Sequence, residues 1–596
     1  MSYSGYTRFK KLKKLYYNSK FLIDHHGMNY FWRVVKYELG KQGFSIFKPD
    51  ERPLEIFQEP TFEENYRTYF KNLNNKLHHE HLEFSSNSLQ SNVHLSIIVI
   101  IDPLDPDSVR FTLDSISKQV YKNYDIILVS YSDQKITQTL LDELSKDVKI
   151  PLSFVSDDSV NTVDQILSLK GDYIGFLHAG TQLSEFTLEQ FVKNLKITPS
   201  DIFYFDHDYI DNQIHTNPFF KPDFSPYLLY STNYFAPFHI IKKSIIAKID
   251  NISNFNDYEV LLHSLEHSPK ISHVSLPLCS IKSSLSYEQK NLVSILSKHL
   301  DRKNIKGKVI SNNHGIFQIN YELIKLPTVS IIIPTKNNLK MIKRCIQSIE
   351  KNTSYENFEI IIIDNNSDNL SVLDYYKTLS HKIINYSENF NFSKMNNLAV
   401  EHSAGEMLLF LNDDTKILDS NWLNELVSIC LQNDVGAVGP KLIYSDDTIQ
   451  HAGMVFLQSG AGFHPLMKQE KNSSTYHDFL NVTRDCSAVT GACLLVKRKI
   501  FEQIGGFDNN FDVYYGDADL CFQIINAGYR IIYTPYTELL HEGSETIRAS
   551  SNSHFDVENH QLFIKKWPQI KNGDPFYNPN LDFNYSLNSD YLQHTN

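Results

Sequence analysis

Cysteine is scarce, six residues among 596, and none of them (Cys279, Cys345, Cys430, Cys486, Cys493, Cys521) forms a CxxC pair. That disfavours a disulfide framework or a zinc knuckle and leaves the thiols as reduced core residues. Glycine and proline number only 22 and 21, which beside 41% hydrophobic and 13% aromatic residues excludes collagen-like, elastic and largely disordered chains. No apolar run reaches the roughly 18 residues of a membrane span. The densest, such as Ser96–Ile101, are strand-sized. The N-terminus has no apolar core leading to a small-residue cleavage site, so it does not read as a secretory signal and a cytoplasmic location is expected. Positive charge is in deficit, 57 basic against 69 acidic residues, and the net charge of -12 argues against wrapping nucleic acid over the whole surface. At about 150 residues per domain, the length suggests around four domains or fewer large ones.

What the chain does contain is an internal repeat. Ser96–Ile100 (SIIVI) aligns with Ser330–Pro334 (SIIIP), and Tyr124–Val129 (YDIILV) with Phe358–Ile363 (FEIIII). Gly171–Thr181 (GDYIGFLHAGT) aligns with Gly405–Thr415 (GEMLLFLNDDT). All three pairs share one displacement of 234 residues, so the chain holds two copies of one domain. Each copy reads as an apolar strand, a helical stretch (Leu339–Glu350 in the second), another strand, a second helical region and a third strand. Strands alternating with helices predict an α/β fold with a mostly parallel sheet covered on both faces. Ligands bind such sheets outside the carboxyl ends of the strands.

At those ends the copies differ in a directed way. The second copy carries Pro334, Thr335 and Lys336, then Asp364, Asn365 and Asn366, then Asn412, Asp413 and Asp414. The first carries Ile100, Ile101 and Asp102, then Ser130, Tyr131 and Ser132, then His178, Ala179 and Gly180. The scaffold is kept and the polar ends are lost, which predicts an active second domain and a first domain without that chemistry.

In extended geometry Asn412 and Asp414 face one way and Asp413 the other. Oxygen donors at a strand terminus suit Mg²⁺ or Mn²⁺, although an acidic turn capping the next helix fits the same residues. Asp364 is placed to accept hydrogen bonds from a base or ribose, or to make an ordinary turn. Asp517 opens a helical pattern (Leu520, Ile524, Ile525), as an N-cap or as a general base. His541, beside Glu542, is a structural histidine or a third ligand for the cation.

From Val329 to about Arg548 the chain resembles inverting family 2 glycosyltransferases of the GT-A fold. The resemblance rests on VSIIIPTKNN, FEIIIIDNNSD, ENFNFSKMNN, GEMLLFLNDDT, VGAVGPKLIY, IQHAGMVF, CSAVTGACLLVKR, GGFD, YYGDADLC and AGYRIIYTPYTELLH. Many of these motifs belong to bacterial two-domain, rhamnosyltransferase-like enzymes of surface-polysaccharide assembly, and Asn217–Phe235 and Asp574–Leu581 fit the same group. The resemblance implies two tandem GT-A domains. It implies nucleoside contacts from Thr335 and Asp364, with Pro334, Asn366, Asn397 and Asp413 also on the nucleotide-sugar side. It further implies a DxD-type site from Asn412 and Asp414, completed by His541 and filled by Mn²⁺ or Mg²⁺. Asp517 would be the catalytic base, with Asp519 supporting it. One position departs: the residue before Asp517 is often Glu in related sequences and here is Gly516.

The expected domains are a basic helical region (1–92), a degenerate GT-A-like domain (93–290), a linker (291–327), a catalytic GT-A domain (328–550) and an extension (551–596). The expected partners are a UDP- or dTDP-sugar donor and a glycan or lipid-linked acceptor, and no nucleic acid. Residues 1–22 hold Arg8, Lys10, Lys11, Lys13, Lys14 and Lys20 among apolar side chains without an acid through Lys20. They suit the inner face of an anionic membrane, or else a solvated helix or partner-binding arm. Two rival functions remain at this point: a non-catalytic nucleotide-sugar or glycan-binding scaffold, and a nucleotidyltransferase. The second usually carries a Gly- and Lys-rich phosphate loop near its first strand, whereas SIIIPTKNN has no glycine.

Overall fold

The first described helix, Phe62–Ser86, starts on a reciprocal cap. Glu64 N–H donates to Thr61 Oγ1 at 3.2 Å, and Thr61 N–H donates to Glu64 Oε2 at 2.8 Å. Tyr66, Tyr69, Leu73 and Leu77, at helical spacing, form its buried face. The computed structural model describes residues 61–86, 92–101, 105–130, 152–155, 162–250, 252, 255–283, 291–312, 315–474, 476–543, 557–582 and 585–587. The basic segment 1–22, Asp102, Tyr131 and Ser132 lie outside the described residues. Residues 66–596 form a single compact unit that holds two large sheets.

The first sheet contains β1 (Leu95–Ile101), β2 (Tyr124–Ser130), β3 (Leu152–Val155), β4 (Tyr173–His178), β5 (Thr181–Leu183), β6 (Ile202–Asp211), β7 (Ile214–Phe219), β8 (Phe238–Lys242) and β9 (Ile271–Lys282). Their order is β3-β2-β1-β4-β8-β6-β9-β5, with β7 on β6. A hairpin, β10 (Gly307–Ser311) and β11 (Phe317–Tyr321), follows. The second sheet contains β12 (Val329–Thr335), β13 (Phe358–Asp364), β14 (Lys382–Asn385), β15 (Met407–Leu411), β16 (Thr415–Ile417), β17 (Val435–Ile443) and β18 (Ile449–His451). After the separate hairpin β19 (Val455–Phe456) and β20 (Gly462–Phe463), it adds β21 (Arg484–Asp485), β22 (Cys493–Lys497) and β23 (Arg530–His541). The order is β14-β13-β12-β15-β22-β17-β23-β16, the first sheet's order strand for strand.

Small contacts repeat as well. Gly171 N–H donates to Ser96 Oγ, which donates to Asp125; Gly405 N–H donates to Ser330 Oγ, which donates to Glu359. Each serine thus ties the start of one strand to both of its neighbours, in the same register in the two copies.

Both sheets are mixed, which corrects the mostly parallel arrangement predicted from the sequence. The strand-helix alternation holds through β15, giving parallel β14-β13-β12-β15. Beyond it, β16 follows after only three residues, and β22 inserts antiparallel between β15 and β17. Within the parallel half β12 and β15 are buried along their whole length and β13 from Ile360 onward, as their apolar runs require, while the edge strand β14 is not. Ile331, Ile333, Ile360, Ile362, Leu409 and Leu411 pack with Trp422, Leu423 and Leu426 in one core. Each such side chain contributes about 1.5–3 kcal/mol by leaving water. All six cysteines are free and buried. Among the described residues, no helix is long and apolar enough to cross a membrane.

Candidate active site

β12, β13 and β15 are adjacent and parallel, so their carboxyl ends converge. Thr335 and Asp364 are register partners. Thr335 Oγ1 donates to Asp413 Oδ2 at 2.6 Å, joining the end of β12 to the turn after β15. Burial pushes the Asp413 carboxyl up to about 6, against that hydroxyl's opposing effect and with the Asp414 charge adding to it. Asp364 is engaged within its own turn: it accepts from Ser367 N–H at 2.8 Å, Ser367 Oγ at 2.5 Å and Tyr376 OH at 2.9 Å. Pro334 is buried in β12, and Asn366 is exposed at the tip of the turn with φ 55°.

The turn 412–414 meets the end of β23. Thr415 and His541 are register partners, which brings His541 Nε2 to 3.1 Å from Asp414 Oδ1 and 3.4 Å from Asn412 Nδ2. Arg344 braces the turn, with Nη2 donating to Asp414 O at 2.8 Å and Nη1 to Glu542 Oε1 at 2.6 Å. A carboxylate oxygen and an imidazole nitrogen therefore meet beside the Asn412 carboxamide, which turns Nδ2 rather than its oxygen to His541; carboxylate, imidazole and amide oxygen are donor types that fit Mn²⁺ or Mg²⁺. Among the described residues, no three His, Cys, Asp or Glu side chains form a ready cage. The rest of a cation's ligands would be waters and substrate oxygens.

Asp517 sits in the first turn of the helix Gly516–Asn526, not at its cap; the cap position is Tyr515, at φ 65°. Asp517 Oδ2 accepts from Gly491 N–H and Oδ1 from Ala518 N–H, both at 2.8 Å. Burial raises its carboxyl above the ordinary aspartate value, partly offset by these donors. A Cβ on Gly516 would lie 3.0 Å from Ser393 Oγ, a close approach. The loop holding Gly491 also reaches the turn 412–414, since Asn412 N–H donates to Ala492 O at 3.1 Å.

Asp519 is fully buried and accepts from Trp567 Nε1 at 2.8 Å, Lys566 Nζ at 2.9 Å and Gln523 Nε2 at 2.8 Å. It anchors the helix Val557–Lys566 to the helix that carries Asp517. Asn397 is likewise engaged by protein: its amide grips Phe507 N–H and O and Asn509 Oδ1. Its carboxamide shapes the loop after Gly505-Gly506.

In the first sheet the matching positions hold different chemistry. His178 stands where Asn412 does, Gly180 where Asp414 does, and Ile281 holds the register place of His541. His178 Nε2 is 3.0 Å from Asp257 Oδ2, a buried pair. Asp257 begins the helix Asp257–Leu265 that precedes β9, as Asp517 lies at the start of the helix preceding β23. Asp257-Tyr258-Glu259 parallels Asp517-Ala518-Asp519. The displacement of 234 residues hides this match, because the second copy is longer between β17 and β22, where it carries β19 to β21. The sequence reading also missed Arg344, whose partners Asp414 and Glu542 lie far along the chain, and the neighbouring pair His451 and His464.

Residues 330–505 match the Glycosyl transferase family 2 family. The chain carries a family 2 glycosyltransferase domain within an α/β fold of mixed sheets. It is 30% identical over 512 residues to the O-antigen biosynthesis protein RfbC of Myxococcus xanthus, covering 82% of this chain and 40% of that relative. Over 237 residues it is 25% identical to the O-antigen chain rhamnosyltransferase WbaN of Salmonella anatum, covering 39% of this chain and 71% of that one. A structure of GalNAc-T7 with UDP, GalNAc and Mn²⁺ aligns at 18% identity and a TM-score of 0.33, over 43% of this chain and 51% of that one. The chain thus spans about two fifths of the length of RfbC.

Proposed function

We propose that the chain is an inverting, metal-dependent glycosyltransferase. It moves a sugar from a UDP- or dTDP-linked donor to a hydroxyl of a bacterial surface glycan or its lipid-linked precursor, at the second sheet. One observation carries this reading: Asp414, His541 and Asn412 converge at one end of a loop whose other end holds Asp517. Asp414, His541 and Asn412 would hold Mn²⁺ or Mg²⁺, which when bound neutralises charge on the departing diphosphate.

Thr335 fixes Asp413, and the rigid Asp364 turn forms the wall for the nucleoside, with Pro334 and Asn366 at its edge. Asp517 Oδ2 takes the acceptor hydroxyl proton as the oxygen attacks the anomeric carbon from the face opposite the leaving group. One displacement inverts that carbon, so no carboxylate nucleophile is required. Gly491 and Ala518 hold the carboxylate in place, while Asp519 and Asn397 support it from outside the reacting atoms.

The first sheet is a degenerate copy in tandem with the catalytic one. Its cation positions hold His178, Gly180 and Ile281, and its aspartate at the helix start is closed by His178. A peripheral location on the inner face of the cell membrane, through residues 1–22, completes the reading. The test is hydrolysis and transfer from a panel of nucleotide sugars with Mn²⁺. Turnover of one donor, lost in Asp414→Ala, supports the enzyme, and tight donor binding without any turnover supports a binding scaffold instead.

A further inference from the structure

Two histidines outside this machinery form a hydrogen-bonded chain with a defined direction. His451 ends β18, opposite Leu442 of β17, and is fully buried. Gly453, at φ 83°, turns its N–H back to His451 Nε2 at 3.3 Å. A Cβ at Gly453 would be strained by that φ and would meet Arg484 Nη1 at 3.2 Å, so the turn requires glycine. With Nε2 accepting, a neutral His451 carries its proton on Nδ1, 2.8 Å from Nδ1 of His464. His464 must then accept at Nδ1 and carry its own proton on Nε2.

Both rings stay neutral at pH 7. Burial drives His451 well below the ordinary histidine value, with His464 and Arg484 acting the same way, and drives His464 down to about 4. His464 is half-buried, and among the described residues its Nε2–H meets no hydrogen-bond acceptor.

The location narrows what that N–H is for. His464 follows β20, whose hairpin with β19 pairs Val455 with Phe463. The tip of this hairpin meets Tyr515, whose OH donates to Gly460 O at 3.4 Å, one residue before the helix that carries Asp517. On the other side His451, the partner of His464, pairs with Leu442 of β17, whose own partner on β23, Leu539, lies two residues before His541. His464 and its hairpin therefore reach from the strand end that carries His541 to the helix that carries Asp517. A neutral N–H supplies direction without charge, and so suits a hydroxyl or ring oxygen better than a diphosphate.

We propose that His464, held in the Nε2–H form by His451, is a specificity residue that donates a hydrogen bond to an oxygen of the transferred sugar. This rests on the glycosyltransferase reading above.

The test compares two ligand series by calorimetry with Mn²⁺ present: UDP and dTDP, which lack the sugar, and the matching nucleotide sugars. His464→Phe should weaken nucleotide-sugar binding about fivefold or more, the loss of one neutral hydrogen bond, and leave nucleoside diphosphate binding within about twofold. His464→Gln, which restores an N–H donor, should recover most of the loss. Equal weakening of both series, or no change in either, overturns the proposal. Should His464→Phe fail to fold, ¹⁵N chemical shifts of histidine-labelled wild-type protein decide the matter, because a His464 carrying its proton on Nδ1 contradicts the chain. A wild-type protein that binds nucleoside diphosphates but no nucleotide sugar would instead overturn the donor reading, and this inference with it.

Discussion

Gly491 donates its backbone N–H to Asp517 Oδ2 at 2.8 Å, and a Cβ on Gly491 would lie 3.4 Å from the Asp517 Cβ and 3.0 Å from the Phe392 ring. The glycine is thus both donor and spacer for the candidate base. Its neighbour Ala492 accepts from Asn412, so a displaced loop disturbs both ends of the site. Gly491→Ala should lower kcat roughly ten- to hundredfold, the cost of a sub-ångström to ångström misplacement. Its melting temperature should change little; steady-state kinetics beside a thermal melt check this.

Asp517→Asn should keep donor binding and lose turnover, because an amide cannot take the hydroxyl proton. In the wild type the base must be ionised, and burial raises its carboxyl. The acid limb of the kcat/KM profile should therefore fall above the ordinary aspartate value of about 3.9. Equal losses of binding and turnover in the variant would mark Asp517 as structural.

Asp519 predicts a different phenotype. It has no exposed surface, and Lys566, at the end of the helix Val557–Lys566, and Trp567 just after it complete its partners. Lys566→Met leaves a buried carboxylate short of its cation and should cost about 3–5 kcal/mol. Chemical denaturation measures this, with loss of activity following loss of fold.

How much of this was legible in the sequence depends on whether the signal was local. β12 and β13 could be placed because isoleucine runs flanked by turn residues mark buried parallel strands, and Leu339–Lys351 because its apolar spacing is helical. Asn412, Asp413 and Asp414 were visible as a cluster, yet Thr335's bond to Asp413 spans 78 residues and has no local trace. Asp517 as an N-cap was a propensity argument, overridden when Tyr515 took the left-handed position. The mixed sheet was invisible because the antiparallel insertion of β22 follows a long irregular segment without helical alternation. Asp257 escaped because a repeat found at one displacement cannot register an insertion.

Glu425 supplies a pH test of stability. It is buried, accepts from Thr534 Oγ1 at 2.9 Å, and burial pushes it up to about 7. Its folded value is above the unfolded one of about 4.3, so the folded state holds the proton more tightly. Its contribution is fully present below about pH 4.3 and is lost as pH rises to about 7. Glu425→Gln should therefore gain stability on the wild type across that interval, by about 3 kcal/mol at its upper end, as denaturant titrations at pH 5 and 8 would show.

The most direct measurement of the central claim is Mn²⁺ binding to the full chain, followed by electron paramagnetic resonance with UDP or dTDP present, in the wild type and in Asp414→Ala. If the second sheet holds the cation and the first has lost its ligands to His178, Gly180 and Ile281, the wild type binds one ion per chain with nucleoside diphosphate. Asp414→Ala then binds none while melting as the wild type does. Two ions per chain, or Mn²⁺ retained by Asp414→Ala, would contradict the account.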